Sequence, residues 1–105
     1  MRGGVVQSEA KGGSTAAIGD VAGQAAKAVE NMRTALTDSG ASLHDVISTR
    51  VLVASHRRED LVTAWGVVRD AFGDHDVPST LMGVTVLGYD GQLVEIEAVA
   101  AVLDS

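Results

Sequence analysis

The spacing of hydrophobic positions changes along the chain and predicts two helices. Apolar residues recur every three or four positions within about residues 20–39 and again within residues 59–72, which is typical of amphipathic helices. Asp20 is placed to cap the start of the first helix, Gly40 is suited to end it, and Gly73 is placed to end the second. The apolar stripes consist of Val21, Ala25, Ala28, Val29, Met32 and Leu36, and of Leu61, Ala64, Trp65, Val68, Ala71 and Phe72.

Segments rich in β-branched residues predict the strands. Residues 46–54 form one such segment, and Val5–Val6 predict a short strand near the start of the chain. Near the end, residues 81–87 and 93–102 are two apolar runs, and the turn-forming residues Gly88–Gly91 lie between them. This arrangement predicts that the last two strands form a hairpin.

The last predicted strand has two distinct faces, because residues at every second position share a face. One face is entirely apolar and consists of Val94, Ile96, Ala98, Ala100 and Val102. The other is partly acidic and consists of Leu93, Glu95, Glu97, Val99 and Ala101. In residues 46–54 the same alternation separates Ile47, Thr49, Val51 and Val53 from Val46, Ser48, Arg50, Leu52 and Ala54.

The order of these elements predicts an α+β fold with a mixed sheet. The elements run strand, helix, strand, helix, strand, strand, and right-handed crossovers place both helices on one face of the sheet. An opposite face without a covering element predicts oligomerisation through the sheet when it carries aliphatic residues. On that face lie the aliphatic residues Leu52, Val99 and Ala101 and the charged residues Arg50, Glu95 and Glu97.

Composition limits the partners and the chemistry. The length of 105 residues predicts a single domain, residues 1–105. The net charge is −6 and the 8 lysine and arginine residues are scattered, so no groove for nucleic acid is indicated. No apolar run has the length of a membrane span, which predicts no membrane partner and a cytoplasmic location. The lack of cysteine excludes disulfides, zinc–thiolate sites and a cysteine nucleophile.

Glu95 and Glu97 are the first candidates for chemistry, because two carboxylates on one strand face can share acid–base work. The residues alone favour the other interpretation, a structural pair with Arg50 on a neighbouring strand. His75 lies between two aspartates, but a solvated loop is the favoured interpretation and no metal site is predicted. The basic segment His56–Arg58 is interpreted as a solvated entry to the second helix.

Several segments resemble the Rid family of reactive intermediate deaminases, also called YjgF/YER057c/UK114 and formerly endoribonuclease L-PSP. The resemblance begins in the closing segment, Gly83–Leu87 followed by Gly91–Ala100. Other similar segments are Gly19–Asp20, Ala28–Met32, Gly40–Val46, Phe72–His75 and the region of Pro78. The resemblance covers nearly the whole chain, and the order and spacing of the segments are specific.

The resemblance implies a fold like that of chorismate mutase, in which two helices cover one face of a mixed sheet. It also implies a homotrimer whose sheets pack inward and leave clefts between subunits. Characterised members hydrolyse 2-imino acids or their enamine tautomers to 2-keto acids and ammonia, and they need no cofactor. In these members an arginine binds the substrate carboxylate in a bidentate manner, and a glutamate positions or activates the water.

Carried onto this chain, the functional residues of the family are only partly present. The glutamate corresponds to Glu95. The arginine corresponds to Ser79, or to Thr80 if the alignment has a one-residue gap, so the chain resembles a subgroup that lacks this arginine. Gly4 keeps the glycine of the family's Ser-Gly pair, and an asparagine of the second helix corresponds to Trp65. The family's first strand, with its aromatic residue, is expected to be missing here.

The resemblance leaves three functions open. Arg50 lies on the face of Glu95 and is a candidate to supply the charge of the missing arginine. With Glu95 as the catalytic residue, the chain is expected to hydrolyse an imine or enamine to a carbonyl compound and ammonia at a subunit interface. The alternative is a catalytically silent trimer that binds a small metabolite, which the replaced residues favour. RNA cleavage or inhibition of translation fits poorly with a net charge of −6.

Overall fold

The computed structural model describes residues 2–9 and 20–102, in which four strands and two helices follow one another in the predicted order. A short 3-10 turn with a capping box between Ser42 and Asp45 leads into the second strand. Within the described ranges, no helix combines the length and the hydrophobicity needed to cross a membrane. The elements are β1 (Arg2–Glu9), α1 (Val21–Asp38), β2 (Val46–Val53), α2 (Arg58–Phe72), β3 (Ser79–Gly83) and β4 (Val94–Val102).

Both helices lie where the hydrophobic stripes predicted them. Five of the six stripe residues of α1 are buried, and Gly40 follows the helix with a φ of 83°, the left-handed conformation expected of a terminating glycine. Gly73 ends α2 with a φ of 59°. The backbone of Asp20 is extended as in a helix cap, but its side chain makes no capping hydrogen bond, so the predicted cap is only partly present.

The sheet order is β1-β4-β2-β3, which contradicts the predicted hairpin of the last two strands. The crossover through α2 brings β3 back parallel to β2, and β4 pairs antiparallel with the opposite edge of β2. The strand predicted over residues 81–87 also ends early, at Gly83. Its partner β2 stops at Val53, so after the backbone hydrogen bond from Val84 to Val53 (2.8 Å) the chain leaves the sheet.

The two predicted faces of β4 are confirmed. Val94, Ile96 and Ala98 are fully buried, whereas Glu95 and Glu97 remain partly exposed. Both helices pack on the apolar face, where their buried stripes and the inward residues of β2 and β4 form one core. We call the opposite side of the sheet the open face; its residues on β2, β3 and β4 are Ser48, Arg50, Leu52, Thr80, Met82, Glu95, Glu97, Val99 and Ala101.

A β-bulge near the start of β2 reverses the predicted facing of two residues. The register with β4 shifts between Val46 and Ser48, so one residue has no direct partner. Val46 therefore belongs to the core and is 1% exposed, whereas Ile47 is 55% exposed. Beyond the bulge the predicted alternation holds, because Thr49, Val51 and Val53 are buried towards the helices.

Candidate active site

Three of the candidate site residues share the open face, each on a different strand. Arg50 of β2 is in register with Thr80 of β3 on one side and with Glu97 of β4 on the other. Glu95 lies two positions along β4 from Glu97 and is in register with Leu52. Diagonal neighbours on adjacent strands are about 7–8 Å apart between Cα atoms, so Glu95 and the long side chain of Arg50 lie within reach of a common small ligand.

Arg50 forms the ion pair with Glu97 that the sequence indicated. Nη1 of Arg50 lies 3.1 Å from Oε2 of Glu97, and the two side chains are 54% and 19% exposed. An ion pair this accessible to solvent contributes about 0–1 kcal/mol to stability. The pair therefore orients the guanidinium more than it stabilises the fold.

We call the position of the family's carboxylate-binding arginine the clamp position. The two residues proposed for it, Ser79 and Thr80, face opposite sides of the sheet. Thr80 shares the open face with Arg50. Ser79 is in register with buried Thr49, and their hydroxyl oxygens are 2.5 Å apart. Because the Ser79 hydroxyl donates to the Val77 carbonyl (3.0 Å), the Thr49 hydroxyl is the donor to Ser79. Of the two alignments, the one that places the clamp at Thr80 puts that position on the same face as Glu95, next to Arg50 and separated from Glu95 by β2.

Ser79 lies instead at a separate cavity with Trp65. The cavity has a volume of about 330 Å³ and lies beside the end of α2, and neither Glu95 nor Arg50 contributes to its wall. Trp65 packs partly against the core, as its place on the apolar stripe predicted. Within one subunit, Ser79 and Trp65 therefore lie at a different place from Arg50 and Thr80. The residues around the cavity are Trp65, Arg69, Phe72, Gly73, Asp74, His75, Asp76, Val77 and Ser79.

Gly4 is exposed on β1 and lies far from Glu95 in the same subunit. It is in register with Ala100, which is five residues beyond Glu95 on β4. At the rise of an extended strand this separation is about 17 Å. Gly4 and Glu95 can meet at one ligand only if they come from different subunits.

His75 has a structural environment, which corrects the prediction of a solvated loop. Its Nε2 lies 2.8 Å from the carbonyl oxygen of Val46, and its ring centroid is 5.7 Å from that of His44 and 6.2 Å from that of Phe72. No three metal-ligating side chains come together among the residues that the structure describes. The imidazole thus joins the end of α2 to the start of β2.

The basic segment before α2 is partly neutralised by the helix that it precedes. Nε of Arg57 lies 2.7 Å from the Glu59 carboxylate. This hydrogen bond, together with the charges of Glu59 and Asp60, raises the pKa of Arg57. His56 and Arg58 line an open groove of about 550 Å³ beside Gly83.

Gln24 is a buried polar residue that the hydrophobic pattern did not single out. It lies on α1, three positions after Val21 and four before Ala28, so it interrupts the buried stripe with a carboxamide. Its side chain bonds the backbone on both sides of Gln92, just before β4. The presence of a polar residue at a buried stripe position could have identified Gln24 from the sequence.

Comparison with known proteins gives a consistent result. A sequence profile described as Endoribonuclease L-PSP matches residues 3–102. No curated protein sequence matches the chain.

Solved structures that resemble the chain come from bacteria and from eukaryotes. Rv2704 of Mycobacterium tuberculosis, a member of the YjgF/YER057c/UK114 family, is 33% identical with a TM-score of 0.77, over 92% of this chain and 75% of that one. Escherichia coli TdcF, solved with bound serine, is 26% identical with a TM-score of 0.71, over 80% and 66%. Yersinia pestis YyfB, of the Rid family, is 24% identical and shares the fold with a TM-score of 0.84, over 97% and 80%. The chain belongs to the Endoribonuclease L-PSP family, which is the YjgF/YER057c/UK114 or Rid family.

Proposed function

We propose that the chain hydrolyses an imine or enamine to a carbonyl compound and ammonia, in clefts between the subunits of a homotrimer. The observation that carries this proposal is the gathering of Glu95, Arg50 and Thr80 on the open face. A guanidinium on the central strand, with a hydroxyl on one neighbouring strand and a carboxylate on the other, suits a small ligand with an anionic group and a centre open to water. The serine bound to the related TdcF supports a ligand the size of an amino acid.

A trimer with inward sheets accounts for the aliphatic residues of the open face. Leu52 is only 8% exposed yet lies outside the core cluster, and the aliphatic side chains of Val99 and Ala101 remain partly exposed. Both helices pack on the other side of the sheet, so burial of this surface calls for another subunit. In the proposed trimer, Gly4 of one subunit and Glu95 of another contribute to the same cleft. A cytoplasmic location fits a chain without cysteine.

The proposed reaction needs only water as co-reactant. The guanidinium of Arg50 and the hydroxyl of Thr80 bind the carboxylate of a 2-imino acid. The Glu95 carboxylate accepts a proton from water as the water oxygen attacks the imine carbon, and it passes this proton to the imine nitrogen. In the resulting carbinolamine Glu95 takes the hydroxyl proton and gives it to the nitrogen as the C–N bond breaks, so that the products are a 2-keto acid and ammonia and Glu95 is again a carboxylate. No cofactor enters this balance.

The replaced clamp directs the choice of substrate. Threonine at the clamp position offers one neutral hydrogen bond where the family's arginine offers two charge-assisted ones. A substrate carboxylate therefore depends on Arg50, which already pairs with Glu97. We expect weaker binding of 2-imino acids than in members with the arginine, and acceptance of imines that lack a carboxylate at this place.

The test is a coupled assay on the purified, full-length protein. Threonine dehydratase in excess generates 2-iminobutanoate, and formation of 2-ketobutanoate is followed with and without this protein. We expect acceleration, and we expect Glu95→Gln to lower it by about 10²–10⁴-fold, the usual contribution of a general base. Glu30→Gln, which changes an exposed glutamate of α1, is the matched control and should leave the rate unchanged.

The oligomeric state is measured on the same samples by light scattering after gel filtration. A trimer that accelerates no imine hydrolysis would contradict the proposal. Equal rates for Glu95→Gln and the wild type would remove Glu95 from the mechanism. A monomer in both variants would contradict the cleft between subunits.

The second candidate is a trimer that binds a metabolite without chemistry. It is favoured by one observation, that Arg50 is engaged by Glu97 while Trp65 and Ser79 lie at a different cavity. This candidate predicts saturable ligand binding with no acceleration of imine hydrolysis. RNA cleavage is not proposed, because a net charge of −6 repels a polyanion.

A further inference from the structure

Gln24 connects α1 to the segment that leads into β4. Its side chain is 2% exposed. Nε2 donates to the carbonyl oxygen of Gly91 (2.9 Å), and Oε1 accepts from the backbone N–H of Leu93 (2.6 Å). The carboxamide thus pairs with residues 91 and 93 as the backbone of an adjacent strand would.

The same segment is held by further hydrogen bonds. The carbonyl oxygen of Leu93 accepts from the N–H of Ala54 (2.8 Å), so both backbone groups of Leu93 have partners. The Gln92 side chain accepts from the N–H of Tyr89 (3.1 Å), and Gly91 has a φ of 75°. These contacts fix the backbone conformation of residues 89–93, between the turn and β4.

The fixed residue lies two positions before Glu95. β4 begins at Val94, so Glu95 is the second residue of the strand, where it is in register with Leu52 of β2 and Glu9 of β1. Strand residues alternate between faces, and a slip by one residue would turn Glu95 from the open face to the core. The direction of the Glu95 carboxylate therefore depends on the pairing with β1 and β2 and on how Leu93, the residue before the strand, is held.

We propose that Gln24 is a positioning residue for Glu95. Its amide holds the segment that enters β4, which supports the register at the start of the strand and so directs the carboxylate across the open face. This inference rests on the proposed function of Glu95. A buried carboxamide is unfavourable unless its donor and acceptor are both bonded, and an aliphatic residue here would only continue the stripe. The bonds to Gly91 and Leu93 explain why a polar group stands at this place.

The test compares three variants of the full-length protein in the imine assay. Gln24→Met keeps the length of the side chain but removes both hydrogen bonds. We expect a loss in kcat of about 10-fold to 100-fold, the range for a misplaced catalytic group, with a smaller change in KM. Leu36→Val is the control, because it loosens the core at the other end of α1, and its folded form should keep kcat within about twofold of the wild type.

The pH dependence of kcat in Gln24→Glu distinguishes a positioning role from a purely structural one. An ionised carboxylate cannot donate to the Gly91 carbonyl, whereas a neutral carboxyl both donates and accepts. Burial raises the pKa of a carboxyl group. The ratio of variant kcat to wild-type kcat should therefore rise as the pH is lowered, while circular dichroism shows an unchanged folded fraction at each pH. A ratio that does not depend on pH would overturn the proposal.

Hydrogen exchange of the backbone amides separates this inference from the function on which it rests. We expect faster exchange at Leu93 and Glu95 in Gln24→Met but not in Leu36→Val. If the wild type proves inactive, the proposed function fails, and the exchange measurement alone decides whether Gln24 fixes the start of β4. Equal exchange in the two variants, or equal kcat in an active protein, would refute the positioning role.

Discussion

Gly83 is the last residue of β3, and a methyl group there has no room. An ideal Cβ on Gly83 would lie 2.8 Å from the carbonyl oxygen of Ser55, which is a backbone atom, and 3.6 Å from Cδ1 of Leu61. Gly83 is not among the glycines with positive φ, so alanine meets no conformational penalty. The contact with Ser55 alone decides the effect of Gly83→Ala.

Two opposing terms set the magnitude for Gly83→Ala. Replacing glycine restricts the unfolded chain, which stabilises by about 0.4–1 kcal/mol. The contact needs several tenths of an ångström of backbone movement, and overpacking of this kind costs about 1–3 kcal/mol. Ser55 moves with difficulty because its hydroxyl donates to Asp60 (2.7 Å) at the start of α2. We expect a net destabilisation of about 1–2 kcal/mol.

Urea unfolding followed by circular dichroism measures this change. All samples are compared at one protein concentration, because subunit association contributes to apparent stability. Gly66→Ala is the matched control: its Cβ would meet nothing within 4 Å in the middle of α2, so it should stabilise by about 0.5–1 kcal/mol. A Gly83→Ala protein as stable as the wild type would refute the steric reasoning.

Two further predictions concern the turn before β4 and the charge on the open face. Gly91→Ala places a side chain at a φ of 75° and should cost about 1–2 kcal/mol in urea unfolding, whereas Gly88→Ala, which has open space and no positive φ, should cost less than half as much. Arg50→Lys keeps a charge beside Glu97 and should leave stability within about 0.5 kcal/mol, but it should raise the KM for a 2-imino acid about tenfold or more because an ammonium cannot bind in a bidentate manner. An unchanged KM in Arg50→Lys would contradict the proposal that Arg50 binds the substrate carboxylate.

The hydrophobic pattern predicted the helices and the faces of β4 because burial follows the period of the element. Ala25, Met32 and Leu36 share one side of α1, and that side alone meets the sheet. Val94 and Ile96 alternate with Glu95 and Glu97 on β4, and only one set packs under the helices. Each of these outcomes depends on residues close together in sequence.

Strand pairing depends on residues far apart, which is why the predicted hairpin was wrong. The run from Leu81 to Leu87 is apolar apart from Thr85, and composition alone does not show that β2 ends at Val53, to which Val84 still bonds. The bulge near Val46 is likewise set by the register against β4 and not by local preference. A strand can be recognised from its own residues, but its neighbours cannot.

The candidate site combines both kinds of information. The alternation along single strands predicted that Glu95 and Arg50 share a face, but the choice between Ser79 and Thr80 required the pairing of β3 with β2. That pairing places Thr80, Arg50 and Glu97 in one row across three strands. A guanidinium has five N–H donors, and the contact with Glu97 is made through Nη1. Arg50 can therefore be held by Glu97 and still donate to an incoming carboxylate, so the ion pair and the clamp are compatible roles of one side chain.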